Sequence, residues 1–175
     1  GGYVAGRADL VDRAAIRLTA PGIAEDVGSA LDFNRLAFQG LFMAPLIVEQ
    51  AMKGAIFAAQ LLEQLGYKVS PAADAPRTDI IQAIQLDTPE NVRKFCHGIQ
   101  KASPLDAHVT PYDAQLPGYD DPVIMAGVTF VQGSSIEPSI DGPMREPYIV
   151  YMQGGLSVAH VIAGVVAAVG QMTQA

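Results

Sequence analysis

From Phe33 to Leu65 the sequence holds one apolar, helix-compatible pattern, and few folds can accommodate such a segment. As helix at about 1.5 Å per residue it would extend roughly 50 Å. It reads as one long helix or as two helices bent at Pro45, because proline removes a backbone donor and crowds the preceding turn. Asp32 or Asn34 can cap its start, and Gly66 suits the left-handed position that ends a helix. An element this long commonly joins two domains. A bilayer is the competing destination for so much apolar sequence. The run Leu36 to Leu62 is interrupted by Gln39, Pro45, Glu49, Gln50, Lys53 and Gln60. A second run, Val158 to Val169, contains His160 and falls short of the roughly 20 residues a span needs. Both read as buried helices of a soluble protein.

The chain has 175 residues, of which 50% are apolar, enough for one compact domain or a domain with an arm. The net charge of −7 makes a polyanion such as nucleic acid an unfavourable partner. Cys96 is the single cysteine, so no internal disulfide can form, and a reducing, cytoplasmic setting is the simplest reading. No basic-then-apolar secretory segment opens the sequence. It begins Gly1-Gly2-Tyr3-Val4-Ala5-Gly6, strand-like from its first residue, and is expected to be a piece of a longer polypeptide.

Tyr3 to Ala5 is expected as a short strand, Asp9 to Leu18 as a helix with Leu10, Ala14 and Arg17 on one stripe, and Thr19 to Ser29 as a loop. After Gly66, Tyr67 to Ser70 and Thr78 to Leu86 read as strands. Thr88 caps a helix with Pro89 in its first turn and Glu90 at the positive end of the dipole. Val92, Phe95, Cys96 and Ile99 form that helix's apolar stripe. Ser103 to Asp121 reads as a long loop, of the kind that is functional or disordered. Val123 to Val131 is expected as a strand buried on both faces, Ser134 to Pro147 as a loop, Tyr148 to Met152 as a strand, and Ser157 as the cap of a last apolar helix. The order after Gly66 implies an α/β sandwich, with helices on one face of a small, largely antiparallel sheet.

Chemistry-bearing residues are sparse. The three histidines are His97, His108 and His160. His97 and His160 fall inside helix patterns without a partner at ligand spacing and read as structural. His108 sits in the long loop beside Asp106, where it could orient a ligand or move a proton, or make ordinary loop hydrogen bonds. Nothing has zinc or iron spacing, so no metal is expected. Phosphate-loop and serine-elbow motifs are absent. Cys96, on an apolar stripe, is expected to be buried. Arg145, in Asp141-Gly142-Pro143-Met144-Arg145-Glu146-Pro147-Tyr148, could grip a carboxylate through two parallel hydrogen bonds, or pair on the surface with Glu146 or Asp141.

Several ordered stretches carry a resemblance. They are Gly1-Gly2-Tyr3-Val4-Ala5-Gly6, Arg17-Leu18-Thr19-Ala20-Pro21-Gly22-Ile23, Phe33-Asn34-Arg35-Leu36 and Gln39-Gly40-Leu41-Phe42. Further on come Pro76-Arg77-Thr78-Asp79-Ile80-Ile81-Gln82, Gly98-Ile99-Gln100-Lys101-Ala102-Ser103-Pro104, Phe130-Val131-Gln132-Gly133, Arg145-Glu146-Pro147-Tyr148 and Gln153-Gly154-Gly155. Together they resemble the aluminium-resistance family, a branch of the cystathionine-lyase and methionine-lyase group of enzymes that use pyridoxal 5′-phosphate (PLP). The likeness runs from Gly1 to the neighbourhood of Val169.

The resemblance implies the carboxy-terminal part of a fold-type-I PLP enzyme. Residues 1–32 would end the large cofactor domain, residues 33–66 would be the interdomain helix, and residues 67–175 the small α/β domain. The cofactor lysine of such enzymes would lie upstream of Gly1. None of Lys53, Lys68, Lys94 and Lys101 sits in its motif, so this chain alone is expected to be inactive. In the intact enzyme PLP serves as an electron sink for loss of a thiol from a sulfur amino acid of the cystathionine or methionine class. The small domain would supply recognition, with Arg145 pairing the substrate carboxylate and Arg35, Gln132, Tyr148 and His108 as further site residues. It also implies a homodimer or homotetramer with a small amino-acid substrate and no membrane. A non-catalytic α/β module that assembles through its apolar arm is the competing reading.

Overall fold

The computed structural model describes residues 3–18, 33–105, 107–127, 130–131, 134–135, 138–155 and 157–173. The expected loop at Thr19 to Ser29, Asp32, Asp106 and Gln132 lie outside these residues. Two compact units divide the chain, Gly1–Pro45 and Leu46–Ala175.

In the first unit, α1 (Ala8–Leu18) is the expected helix, and none of its residues is buried. Tyr3 to Ala5, read from sequence as a strand, pairs with no strand among the described residues. A strand's stability lies in its partner, which three extended residues cannot specify. The helix α2 (Asn34–Gln64) runs unbroken through Pro45. Its described side chains before Ala44 are exposed, among them Phe38, Leu41 and Phe42. The expectation of a buried helix therefore fails for this half. The length and composition of α2 alone would allow it to cross a bilayer.

From Ala51 onward α2 belongs to the core of the second unit. Ala51, Gly54, Ala55, Ala58, Ala59 and Leu62 are buried on one stripe. These small residues admit close approach, and Gly54 faces Val161 so closely that a Cβ there would collide with it. Gln50 Oε1 accepts the Val158 amide at 3.0 Å, which ties α2 to the start of the last helix. Gly66, at φ 89°, ends α2 in the left-handed conformation its sequence position predicts.

The second unit holds a five-stranded antiparallel sheet in the order β1 (Lys68–Ser70), β2 (Gln82–Gln85), β7 (Ile149–Gly154), β6 (Pro138–Pro143), β3 (Val123–Ala126). β4 (Phe130–Val131) and β5 (Ser134–Ser135) make a separate hairpin. Helices α3 (Pro89–Ala102) and α4 (Val158–Thr173) pack on each other and on the sheet. The mixed α/β architecture expected from the sequence is present.

Three strand expectations need correction. The segment Thr78 to Leu86 is strand only from Gln82, because Asp79 turns the chain by accepting the Ile81 amide at 2.8 Å. The run Val123 to Val131 breaks at Gly127 (φ 65°), where a Cβ would lie 2.0 Å from the Pro138 carbonyl oxygen. Met125 in that run is exposed, so burial on both faces also fails. The segment Ser134 to Pro147, read as loop, contains β6, which pairs on both sides with β3 and β7. Its prolines stand at its two ends, where a missing donor costs the ladder least.

Strand register divides the sheet into two faces. Ile84 opposes Val150, Ile140 opposes Met152 and Ala126 opposes Ile140. These residues are buried with Val92, Phe95, Cys96 and Ile99 of α3 and Val161, Val165 and Ala168 of α4 in one core. Each fully buried side chain of this size contributes about 1.5–3 kcal/mol. Both helices lie against this face, leaving the other face to form the site.

Candidate functional site

The alternation that buries Ile140 points its neighbour Asp141 the other way. Register then lines up Ala83, Tyr151, Asp141 and Met125 in a row across β2, β7, β6 and β3. Above this row lies a hollow of ≈ 340 Å³, lined by Val123, Met125, Asp141, Pro143 and Tyr151 from the strands, by Leu116, Tyr119, Asp120 and Asp121 from the preceding loop, and by Arg145. A second recess of ≈ 260 Å³ shares Pro143, Arg145 and Tyr151 with it and adds Glu146, Pro147 and Ile149. Arg145 and Tyr151 therefore border both. The first volume is in the range of small-molecule sites.

The backbone that carries Arg145 is tightly held. The Met144 amide donates to the Pro122 carbonyl at 2.8 Å, the Arg145 amide to Pro143 at 2.9 Å, and the Tyr148 amide to the Arg145 carbonyl at 2.7 Å. Tyr148 takes φ 60°, a left-handed conformation that costs a non-glycine residue about 1–3 kcal/mol. Its carbonyl in turn accepts the Leu86 amide at 2.9 Å, and its side chain packs on the core. The Arg145 guanidinium is 67% exposed and lies 3.9 Å from an oxygen of Asp121. That partner is neither Glu146 nor the Asp141 considered from sequence. So long an exposed pair is worth little, and the fork stays open to a carboxylate.

The loop wall is also anchored. Arg93 grips Asp113 with three contacts of 2.7 to 3.2 Å, His97 Nε2 meets the Pro111 carbonyl at 2.9 Å, and Ala114 and Val123 exchange backbone hydrogen bonds. His97 thus has the structural role its helix position predicts. Asp141 has one carboxyl oxygen sealed from solvent with no hydrogen-bond partner among the described residues, and burial raises its pKa above the ordinary carboxylate range. Cys96 is buried beneath the sheet, its thiol pushed up to about 12 by burial and, less, by Asp141 and Asp113.

Of the expected site residues that are described, Arg145 alone lines the hollow, and Gln132 lies outside the described residues. Tyr148 shapes the turn beneath it, and His108 is exposed in a turn outside its lining. Arg35 is exposed on α2 in the first unit. Sequence reading missed Tyr119, Asp121, Asp141 and Tyr151. Only strand alternation in β6 and β7 could have revealed the last two, and β6 itself was hidden. Among the described residues the lining holds no serine, cysteine, histidine or lysine.

These features define a class: an α/β domain with a largely exposed arginine at the rim of a hollow on the open face of its sheet. The model of the methionine gamma-lyase family matches residues 1–173. The chain belongs to that family. It is 48% identical to an uncharacterized protein, YnbB, of Bacillus subtilis over 99% of this chain and 41% of that protein. Among solved structures it is similar to one from Listeria monocytogenes described as a candidate cystathionine beta-lyase involved in aluminium resistance (TM-score 0.88, 46% identity, 97% of this chain, 42% of that one). It is similar also to a carbon–sulfur lyase involved in aluminium resistance from Clostridium novyi (TM-score 0.84, 43% identity, 95% of this chain, 38% of that one). The chain therefore spans about two fifths of the length of these relatives.

Proposed function

We propose that this chain is the carboxy-terminal part of a cytoplasmic, PLP-dependent carbon–sulfur lyase, and that it supplies substrate-carboxylate recognition. The observation that carries this reading is Arg145. A braced turn holds it at the rim of a substrate-sized hollow, with its guanidinium committed to no close partner among the described residues. In this reading residues 1–32 end the large domain, residues 33–66 link the domains and residues 67–175 form the small domain.

The hollow does not fit PLP itself. Three carboxylates, from Asp120, Asp121 and Asp141, line it against the one guanidinium of Arg145, an environment hostile to a phosphate dianion. No lysine lines it. The cofactor and its lysine belong to the rest of the intact protein, and this chain's part is to bind and orient. The Arg145 fork holds the substrate carboxylate, Tyr119 and Tyr151 flank the side arm, and the Arg93–Asp113 clamp keeps the loop wall in place. Gln132, Tyr148, His108 and Arg35 remain proposed contributors, whose separate substitution tests their parts.

The exposed apolar side chains of α2, Phe38, Phe42 and Leu46, favour assembly as a companion role, in a homodimer or homotetramer. The non-catalytic reading rests on that same surface. To decide, the intact polypeptide is purified with PLP and assayed for thiol release from cystathionine and methionine. Bound cofactor and thiol release support the lyase. Neither, from a folded oligomer, leaves the assembly module.

A further inference from the structure

The loop that walls the hollow begins on the other side of the sheet. It leaves α3 at Ser103 and lies back along that helix by Pro111. Two side chains of α3, one turn apart, hold it there. His97 Nε2 meets the Pro111 carbonyl at 2.9 Å, and the Arg93 fork grips Asp113 through Nε and Nη2 at 2.7 to 3.2 Å. The partners run in reverse order, so this leg is antiparallel to the helix. The next residue, Ala114, reaches the sheet and exchanges two backbone hydrogen bonds with Val123, of 3.0 and 2.9 Å. β3 is an edge strand, and Ala114 covers its free side. Residues 115–122 form a loop closed at this neck, and Leu116, Tyr119, Asp120 and Asp121 within it line the hollow.

The neck is a single bridged pair that no neighbouring pair extends. Sheet pairing draws its strength from successive pairs, so one bridge holds weakly. Past it the loop's ties are local or long. Gln115 Nε2 donates to the Tyr119 carbonyl at 2.8 Å, and Asp121 lies 3.9 Å from Arg145. Tyr119 is 58% exposed, so little burial fixes it. The firm restraint on the incoming leg is therefore the fork on Asp113, a two-nitrogen, charge-assisted contact. Glu90, 3.9 Å from Arg93 on the same helix, is too distant and exposed to compete for it.

We propose that Arg93 is a positioning residue for the hollow, acting from the helix face of the sheet on the opposite face. Through Asp113 and the Ala114–Val123 neck it sets where Leu116 and Tyr119 to Asp121 stand. The inference rests on reading the hollow as the ligand site, and it adds a control point that touches no ligand. When the fork is broken, the neck frays, and a ligand must order the wall as it binds. Affinity then falls although every lining side chain is unchanged.

The test uses the intact polypeptide with its cofactor. Amide hydrogen exchange in peptides covering Ala114 to Val123 reads the neck, with peptides from β7 as the control. Arg93→Ala and Asp113→Asn should each speed exchange at the neck by about 3- to 10-fold, with β7 unchanged. The double variant should be no faster than either single one, because both remove the same contact. Calorimetric binding of L-methionine should weaken by a similar factor in all three. Arg93→Lys keeps the charge without the fork and should recover part of both signals. Salt at about 1 M should bring the wild type toward Arg93→Ala and leave that variant little changed, since a partly exposed ion pair is screened. Unchanged exchange at the neck, faster exchange with unchanged binding, or additive losses in the double variant each overturn the proposal. So does an equal rise in β7, which marks general loosening of the fold. A wild type that binds no L-methionine defeats the ligand reading of the hollow instead, and the exchange contrast alone then decides whether Arg93 holds the wall.

Discussion

Helices α3 and α4 touch through Gly98, and adding one methyl group there tests how the core is built. A Cβ at Gly98 would lie 2.3 Å from Ala168 Cα, 2.7 Å from the Ala168 nitrogen and 2.8 Å from the Ala167 oxygen. All three are backbone atoms and cannot rotate away. Reaching ordinary contact near 3.5 Å requires the helices to part by about 1 Å, which forfeits roughly a quarter to a half of the dispersion energy across the seam. Overpacking of this kind costs about 1–3 kcal/mol, and the rigid neighbours place it at the upper end. Alanine regains about 1 kcal/mol of helix propensity over glycine. The net expectation for Gly98→Ala is a loss of about 2 kcal/mol. Gly170, also helical, has nothing within 4 Å of its would-be Cβ. Gly170→Ala should therefore gain up to about 1 kcal/mol from propensity alone. Urea denaturation followed by circular dichroism reads both. If Gly98→Ala matched or exceeded the wild type, the close helix seam would be wrong.

Thr88→Ala should cost about 1 kcal/mol in the same assay, since Thr88 Oγ1 accepts the Asn91 amide at 3.1 Å, while Thr88→Ser should keep most of that. Cys96 should resist alkylation by iodoacetamide at mildly alkaline pH and react once urea unfolds the chain, because its folded thiol is pushed up from 9.0 to about 12. A raised folded pKa means this contribution to stability is full below the unfolded value and is lost as pH climbs through 9 toward 12. The same sign applies to Asp141, whose burial raises its pKa. Ionising it opposes folding, so Asp141→Asn should be more stable than wild type at neutral pH, with the gap closing in acid as the wild-type carboxyl gains its proton.

Local signals were legible where one residue type had one physical use. Thr88, Gly66 and the stripe from Val92 to Ile99 sit where capping, left-handed geometry and periodicity place them. β6 was illegible because Pro138, Ser139, Gly142 and Pro143 are turn formers by composition. Its strand character comes from two neighbours, β3 and β7, distant in sequence, and no local propensity encodes them. Losing β6 also hid Asp141, which has a face only once its strand has partners. Arg145 could be singled out by its chemistry, yet its partner Asp121 arrives from the far end of a long loop. The exposed first half of α2 was misread as buried for a related reason: apolar sequence records what a surface needs, not which partner covers it.

The central claim is that Arg145 holds a substrate carboxylate. Equilibrium binding to the intact polypeptide tests it most directly, comparing L-methionine with the amine formed by removing its carboxyl group, in wild type and in Arg145→Ala. The wild type should prefer the amino acid by about 10- to 100-fold, and the variant should lose that preference. A preference that survives intact in Arg145→Ala would contradict the account.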